Sequence, residues 1–304
     1  MKKNKSFLIL SIDGGGIRGI YPAYILKRIQ DEYKISFNSH FDLIIGTSTG
    51  SIIAALLAVG ISAVEITKFY ENEGYKIFKK AKRSFMGFYK SKYDNLFFKS
   101  LLSEKLGNLT LGDITKTKLL IPSTDISNGT IHVLKSSYSK DFVRDNKVLL
   151  SEAILASCSA PLYFNPSFID VYLLADGGLW ANNPSLVGYT EAITRLNINP
   201  VNVKVFSIGT GIGKKYYDPA KINMKWGFLN GWHGSKLIDM ILNLQSINVD
   251  NTLELILKNK YYRINFEENS ELTLDDISII PTLKSKADID FTHNSKSVRS
   301  FLEI

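Results

Sequence analysis

Short apolar runs alternate along the chain with stretches whose apolar residues recur at helical spacing. The clearest runs, at 7–12, 41–46, 118–124 and 201–208, are typical of buried strands. Residues 20–33 follow the first run, and their spacing predicts a helix. Strands that alternate with helices in this way predict an α/β fold with a parallel sheet.

Weaker patterns predict the remaining elements. Further strands are expected at 130–135, 171–175 and 261–266, and residues 62–106 have a helical pattern with interruptions. Other helices are expected at 151–156, with Ser151 as cap and Pro161 as stop, from Asn182-Asn183-Pro184 through Arg195, at 235–257 and near 296–302. The polar stretch 212–234 is expected to be a loop at the edge of a site. No repeat or linker is visible, so residues 1–304 are expected to form a single domain.

The segment Gly46-Thr47-Ser48-Thr49-Gly50 lies between a predicted strand and a predicted helix, which is the setting of a nucleophile elbow. A strained turn of this kind exposes the serine hydroxyl, while Gly46 and Gly50 let strand and helix approach closely. Ser48 is therefore the candidate nucleophile. The free N-H groups at the start of the following helix lie where negative charge develops during acyl transfer.

Two alternative interpretations of this stretch stay open at the level of sequence. A bare Gly-x-Ser-x-Gly pattern arises by chance in roughly one chain of this length in ten. Residues 43–61 also carry no charge and approach the roughly 20 residues of a membrane span. Their hydroxyl residues and glycines, and flanks without a stop-transfer pattern, argue against a span.

A glycine-rich loop follows the first strand and consists of Gly14, Gly15, Gly16, Ile17, Arg18 and Gly19. It fits the dinucleotide-binding pattern, but no acid ends the second strand to bind a ribose, and no Gly-Lys-Ser/Thr follows as in a P-loop. Its backbone N-H groups suit an oxyanion, so Gly15 and Gly16 are candidate donors together with Thr49. The rival hypothesis is a phosphate-binding module in which Arg18 pairs with phosphates.

An aspartate ends the predicted strand 171–175 and precedes two glycines, in the order Asp176-Gly177-Gly178. An acid at a strand end is well placed to face a site above the sheet. Asp-Gly is also a common turn pair, and on local sequence alone a turn aspartate is favoured.

The base that activates Ser48 is left open by residue chemistry. A Ser-His-Asp order would need His233 or His293, and neither follows a predicted strand end. The alternative is a two-residue site in which Asp176 accepts the proton and returns it to the leaving group. A carboxylate is a weaker base than imidazole by about 2.6 pKa units unless burial raises its pKa.

Composition adds limits on compartment and partners. The 304 residues are 45% hydrophobic, enough for a substantial core, and the net charge of +8 favours anionic partners such as membranes, nucleotides or nucleic acid. A single cysteine, Cys158, leaves no cysteine cluster for a metal and fits a reducing compartment. The N-terminal apolar run is too short for a secretion signal, so a cytoplasmic protein is expected.

Residues 76–99 hold eight basic residues, one acid and seven aromatics. A solvated helix face explains scattered lysines, and core packing explains some of the aromatics. The mixture also predicts an amphipathic surface that binds anionic lipid, with Lys79, Lys80, Lys82 and Arg83 as the contacts.

Four segments, DGGGIRG, FDLIIGTSTG, SAPLYF and ADGGLWANNP, resemble in kind and order the patatin-like phospholipases, over about residues 7–210. The resemblance implies a three-layer α/β/α sandwich with a mainly parallel central sheet, and hydrolysis of acyl esters of phospholipids. It implies a Ser48-Asp176 dyad, an oxyanion hole in the loop 14–19, and no metal or other cofactor. Ser51 stands where many members have a third glycine, and no catalytic effect is expected from it.

The chain also resembles the bacterial members that cyclic nucleotides activate in anti-phage defence. This likeness implies a phospholipid membrane and a cyclic nucleotide as partners, no nucleic acid, and a peripheral position on the inner membrane. Residues 211–304 match no known motif, so substrate choice, regulation and oligomeric state are not predicted. A peripheral membrane protein with an inactive site is the third hypothesis, which ester turnover would test.

Overall fold

The fold is built on a central β-sheet, seen in a computed structural model that describes residues 6–77, 90–214, 217–227, 230–270 and 272–304. The strands, in chain order, are β1 (Phe7–Ile12), β2 (Leu43–Gly46), β3 (Lys118–Asp125), β4 (Thr130–Lys135), β5 (Ser167–Ile169), β6 (Tyr172–Asp176), β7 (Val203–Ile208), β8 (Ile212–Gly213), β9 (Tyr261–Ile264) and β10 (Glu267–Glu268). Within the described residues the main sheet has the order β5-β6-β3-β2-β1-β7-β9, and β4 also pairs with β3. β8 and β10 pair separately.

The centre of the sheet is parallel. β1 pairs in parallel with β2 and β7, and the parallel pairing continues to β3 on one side and β9 on the other. β4 and β6 run antiparallel to β3. Because the carboxyl ends of the parallel strands meet at one edge, the loops after β1, β2 and β7 lie together there.

Helices cover both faces of the sheet. In chain order they are α1 (Ile20–Tyr33), α2 (Phe37–His40), α3 (Thr49–Ala58), α4 (Ala63–Ile77), α5 (Asn95–Leu106), α6 (Leu150–Ser157), α7 (Gly178–Ala181), α8 (Ser185–Thr194), α9 (Gly234–Leu257) and α10 (Ile280–Leu302). Leu8 and Leu10 of β1 join a core cluster with α1, α3, α6 and α10, while Ile9 joins another with α8 and α9. Alternate residues of a strand point to opposite faces, so two cores enclose the sheet. The predicted α/β/α fold with a mainly parallel sheet is confirmed.

The hydrophobic stretch 43–61 is not a membrane span. It forms β2, the turn at Ser48 and α3, and all ten residues of α3 are buried in the core. None of the described helices has both the length and the apolar character needed to cross a membrane. The apolar character of this stretch therefore reflects burial beneath neighbouring helices.

Several predicted boundaries were wrong for identifiable reasons. The C-terminal helix begins at Ile280 rather than near 296, because its buried positions are few and widely spaced among lysines and aspartates. Ser151 lies inside α6, whose cap is Leu149, so it is not the predicted cap. At the start of α8 the Asn183 side chain accepts from the Ser185 N-H (3.0 Å), and Pro184 precedes the helix instead of opening it.

The predicted lipid-binding stretch is only partly described. Lys79, Lys80, Lys82 and Arg83 lie outside the described residues. In the flanking part that is described, Tyr93 and Phe98 are buried in the core, whereas Leu96 and Phe97 are exposed on α5. Core packing thus accounts for some of the aromatic residues of this stretch, as one of the two interpretations expected.

Candidate active site

Ser48 occupies a strained turn between β2 and α3. Its backbone has φ 52° and ψ −124°, a conformation that a residue with a side chain rarely adopts. A side chain at Gly46 would collide with the Gly50 carbonyl, so the close approach of strand and helix depends on glycine. The Ser48 N-H donates to Ser157 Oγ (3.0 Å), which fixes the turn against the end of α6.

Asp176 ends β6 beside this turn and is 5% exposed. Burial raises the pKa of Asp176 to about 7, although hydrogen bonds from the Gly178 N-H (2.7 Å) and from the Ser48 side chain lower it. Ser48 and Asp176 line the same pocket, so the predicted nucleophile lies beside the predicted base. At this pKa the carboxylate is a far better proton acceptor than an exposed aspartate.

The two glycines after Asp176 hold the carboxylate in place. Gly177 lies so close to the Pro122 carbonyl of β3 that an added side chain would collide with it. Gly178 turns its N-H back to Asp176 Oδ1. The Asp-Gly-Gly segment is therefore a tightly packed turn, and it also presents a buried acid to the site. The sequence had left a turn aspartate and a site aspartate as alternatives, and Asp176 is both.

The two candidate histidines lie elsewhere. His233 and His293 are both exposed, and neither lines the pocket around Ser48. The thiol of Cys158 also contacts Ser48, but burial raises its pKa well above the usual value and keeps it protonated. In the described part of the chain, Asp176 is thus the group beside Ser48 that is able to accept a proton near neutral pH.

Three backbone N-H groups are available next to Ser48. Those of Gly15, Gly16 and Thr49 have no hydrogen-bond partner among the residues that the structure describes, and the three residues line the same pocket as Ser48. Thr49 is the first residue of α3, where helix geometry leaves the N-H unpaired. Backbone N-H groups without partners beside a nucleophile are what an oxyanion hole requires, so these three stay the candidate donors.

The other members of the predicted loop have structural partners. The N-H groups of Gly14, Ile17 and Arg18 donate to the carbonyls of Asn182 (3.0 Å), Leu274 (2.8 Å) and Gly15 (3.2 Å). Gly19 packs so closely on Thr49 and Tyr70 that a side chain there would collide with both. These four residues shape the loop, and the set of candidate donors narrows to Gly15, Gly16 and Thr49.

Arg18 does not point into the pocket as a phosphate ligand would. Its side chain is 2% exposed and donates to the carbonyls of Gly15 (3.1 Å) and Gly211 (3.2 Å). The rival phosphate-binding hypothesis therefore loses the cation on which it depended.

Sequence reasoning missed residues that complete the site from distant parts of the chain. Thr210 Oγ1 donates to the Gly14 carbonyl (2.6 Å), and its place directly after β7 was an available signal. Leu242 and Leu274, from the part without motifs, line the pocket without any signal in the sequence. The pocket wall is otherwise formed by apolar side chains, among them Ile52, Phe98, Tyr163 and Phe164. Such a wall suits an acyl chain.

Metal ligands do not cluster near this site. The described residues contain no group of three or more His, Cys, Asp or Glu that could hold a metal ion.

Comparison with known proteins decides the family. The model of the patatin-like phospholipase family matches residues 10–187, more than half of the chain. The chain belongs to the patatin-like phospholipase family. A cGAMP-activated phospholipase of Pseudomonas aeruginosa is 32% identical over 89% of this chain and 81% of the relative. A cGAMP-activated phospholipase of Vibrio cholerae is 30% identical over 97% and 94%, respectively. The predicted family and the predicted enzyme class, a lipid acyl hydrolase, are confirmed.

Two further matches extend the comparison. A cUMP-AMP-activated phospholipase of Escherichia coli is 26% identical over 97% of this chain and 93% of the relative. Among solved structures, VipD from Legionella pneumophila covers 93% of this chain and 67% of its own, with a TM-score of 0.51 and 14% identity. At that identity VipD supports the patatin-like fold alone.

Proposed function

We propose that this patatin-like phospholipase cleaves acyl esters with Ser48 as nucleophile and Asp176 as general base. Ser48 Oγ bonds to the ester carbonyl carbon while its proton passes to Asp176. The N-H groups of Gly15, Gly16 and Thr49 hold the negative carbonyl oxygen. The bond to the leaving alcohol then breaks, Asp176 returns the proton to that alcohol, and an acyl-serine remains.

Water resolves the acyl-serine by the same route. It gives a proton to Asp176 as its oxygen bonds to the acyl carbon, and Ser48 Oγ leaves with that proton. The fatty acid is released and both side chains return to their starting states. The observation that carries the proposal is that Ser48, in its strained turn, lines the same pocket as a buried Asp176 of raised pKa.

A phospholipid is the proposed substrate because the pocket wall is apolar and the relatives are named phospholipases. We propose a cyclic nucleotide as activator, since bacterial relatives are named as activated by cGAMP or cUMP-AMP. The proposed place of action is the cytoplasmic face of a membrane, and the proposed role is an effector of anti-phage defence. Activation and membrane contact rest on these names and on the charge of the chain.

A fluorophosphonate probe followed by mass spectrometry of the labelled peptide tests the mechanism. We expect labelling at Ser48 that is lost in Ser48→Ala and kept in Ser51→Ala, whose hydroxyl lies one turn along α3. Mass spectrometry of products from mixed phospholipids, with and without cGAMP or cUMP-AMP, tests substrate and activation. Labelling at another residue, with ester turnover intact in Ser48→Ala, would overturn the proposed nucleophile.

A further inference from the structure

A second pocket lies outside the active site, in the part of the chain that matches no motif. It has a volume of about 500 Å³, within the range of pockets that hold small ligands. We term it the basic aromatic pocket, and the residues that line it come from the described parts of 214–236. None of these residues lines the pocket around Ser48.

One wall of the basic aromatic pocket is aromatic. Tyr217 and Trp226 line it, with ring centroids 5.6 Å apart. Trp232 packs against both, at 5.6 Å from Tyr217 and 5.3 Å from Trp226. The Tyr217 hydroxyl also donates to the Trp232 carbonyl (2.6 Å), which holds the group together. Aromatic faces of this kind stack on planar bases.

The remaining walls carry positive charge. Lys214, Lys221 and Lys236 line the pocket, with His233 beside them, and Lys214 also forms an ion pair with Glu267 outside the lining. The carboxylate in the lining, Asp218, accepts the Ala220 N-H (3.0 Å). Lysines around an open cavity suit phosphate groups, which bind ammonium groups by charge-assisted hydrogen bonds.

Another pocket of the same molecule provides a comparison. It has a volume of about 560 Å³ and is lined by Lys68 and Lys105 together with Glu65, Glu73 and Glu104. Acids outnumber lysines there, whereas lysines outnumber the acid in the basic aromatic pocket. The excess of cations is thus a property of the basic aromatic pocket and is not shared by every surface cavity of this basic chain.

We propose that the basic aromatic pocket binds a small ligand that carries both phosphate groups and a planar base, and that it is the site of the activating cyclic nucleotide. The inference rests on the proposed activation, to which it adds a location. Phosphates lie against Lys221 and Lys236, since Lys214 is paired with Glu267, and a base stacks on Tyr217 and Trp226.

Helix α9 connects the basic aromatic pocket to the neighbourhood of the candidate oxyanion hole. Helix α9 carries Lys236 in the basic aromatic pocket and Leu242 in the pocket around Ser48, about 9 Å apart along the helix axis. Further along α9, Ser246 Oγ donates to Asp13, directly before the glycine loop. A ligand that draws Lys236 toward its phosphates therefore acts on an element that touches both the acyl pocket and the loop.

Ligand binding is measured by titration calorimetry and by tryptophan fluorescence, with cGAMP, cUMP-AMP and inorganic pyrophosphate as probes. Of the chain's three tryptophans, Trp226 lines this pocket and Trp232 packs against Trp226, so base stacking is expected to quench fluorescence. The test variants are Lys221→Gln/Lys236→Gln and Trp226→Leu. The matched control is Lys68→Gln/Lys105→Gln in the acidic pocket.

We expect wild type to bind one cyclic nucleotide, and the lysine variant to bind it about tenfold more weakly for each lysine-phosphate hydrogen bond that the substitutions remove. Trp226→Leu should weaken the nucleotide and leave pyrophosphate unchanged, and the control should match wild type. Basal turnover of a short soluble ester should be equal in all of them, because no substituted residue touches Ser48 or Asp176.

Opposite outcomes separate the two proposals. Nucleotide binding equal to wild type in both test variants would overturn the pocket while activation stands. Absence of binding by wild type to either nucleotide would overturn activation and the pocket together. A lysine variant that binds the nucleotide normally and loses only binding to anionic vesicles would reassign the pocket to the membrane.

Discussion

Asp176 has to be ionised to act as a base, and yet it is buried. A general base has to be ionised, but the folded protein buries this carboxyl beside Ser48 and so disfavours the charge. Hydrogen bonds from the Gly178 N-H and the Ser48 hydroxyl stabilise the ionised carboxylate and so offset part of the rise in its pKa. The result is a base whose pKa, at about 7, lies near working pH.

The first prediction follows from this pKa. Because only the ionised carboxylate accepts the Ser48 proton, kcat/KM for a soluble ester should rise tenfold per pH unit below pH 7 and level off above it. A pH-rate profile between pH 5 and 9 measures the midpoint. A profile that is flat from pH 5 to 8 would contradict the assignment of Asp176 as base.

The second prediction concerns the stability of Asp176→Asn. The folded pKa, about 7, exceeds the unfolded value near 3.9, so the folded state binds the extra proton and wild type loses stability as pH rises from about 4 to 7. Asparagine carries no charge and keeps the acceptor for Gly178. At pH 8 the variant should be more stable than wild type by up to about 4 kcal/mol, and at pH 4 the two should agree. Urea unfolding at both values measures this, and equal stability at pH 8 would contradict the burial argument.

The third prediction separates a dyad from a triad. Ser48→Ala and Asp176→Asn should each abolish nearly all ester turnover, because each removes half of a unit. His233→Ala and His293→Ala should stay within about tenfold of wild type, since loss of a true general base costs at least about a hundredfold. Turnover is read beside thermal melts. A thousandfold loss in either histidine variant would restore the triad.

At the scale of elements, the ends of β1 and β9 are joined by a buried ion pair. Arg263 Nη2 donates to Asp13 Oδ2 at 2.6 Å, and the two side chains are 5% and 3% exposed. Ser207 Oγ and Ser246 Oγ complete the cluster, so β7 and α9 are attached to it. Burial raises the pKa of Asp13, and the charge of Arg263 offsets only part of that rise. The glycine loop therefore begins at a residue that four elements hold.

The fourth prediction tests this cluster. Arg263→Met leaves the Asp13 charge buried without its partner, which should cost about 3 to 5 kcal/mol of unfolding free energy. Asp13→Asn/Arg263→Met also removes the Asp13 charge and should recover part of that loss, because the unpaired charge that is most deeply buried is gone. Asp250, which pairs with Arg263 at 3.4 Å and is 27% exposed, loses this partner in both variants. Denaturant unfolding of the two variants and wild type gives the comparison. A double variant less stable than Arg263→Met would mean that the pair is not an isolated unit.

At the scale of the whole molecule, the pocket around Ser48 is assembled from both ends of the chain. Leu274 accepts from the Ile17 N-H, and α10 packs on α1. The C-terminal third thus contributes walls to the site, although it carries no family motif. The organisation of residues 1–304 as a single domain stays a prediction.

The fifth prediction concerns the membrane. Each lysine near an anionic surface contributes about 1 kcal/mol, so replacing Lys79, Lys80, Lys82 and Arg83 with Gln should weaken vesicle binding by a few kcal/mol. The loss should shrink as salt rises, and soluble-ester turnover should not change. Sedimentation with anionic and neutral vesicles measures binding. A control variant in which Lys140, Lys147, Lys258 and Lys260 are replaced by Gln has the same change in net charge. Equal binding of anionic vesicles by the two variants would contradict the assignment of Lys79, Lys80, Lys82 and Arg83 to the membrane contact.

The sequence by itself determined the elements that carry the chemistry. Strand, glycine turn and helix around Ser48, and the strand ending at Asp176, follow from local patterns, because each depends on residues only a few positions apart. Motif order then placed the chain in its family. Local sequence patterns failed in α10, where few apolar residues mark the buried face of the helix. They also failed at Ser151, whose hydroxyl suggested a helix cap although the residue lies inside α6.

Only the tertiary structure decided how the parts meet. Ser48 and Asp176 line one pocket although they are 128 positions apart in the sequence, and the raised pKa of Asp176 depends on burial that no local pattern shows. Which loop N-H groups stay free was decided by partners as distant as Asn182 and Leu274. Proximity, burial and hydrogen-bond satisfaction are properties of the packed chain, whereas a sequence shows only neighbours along it.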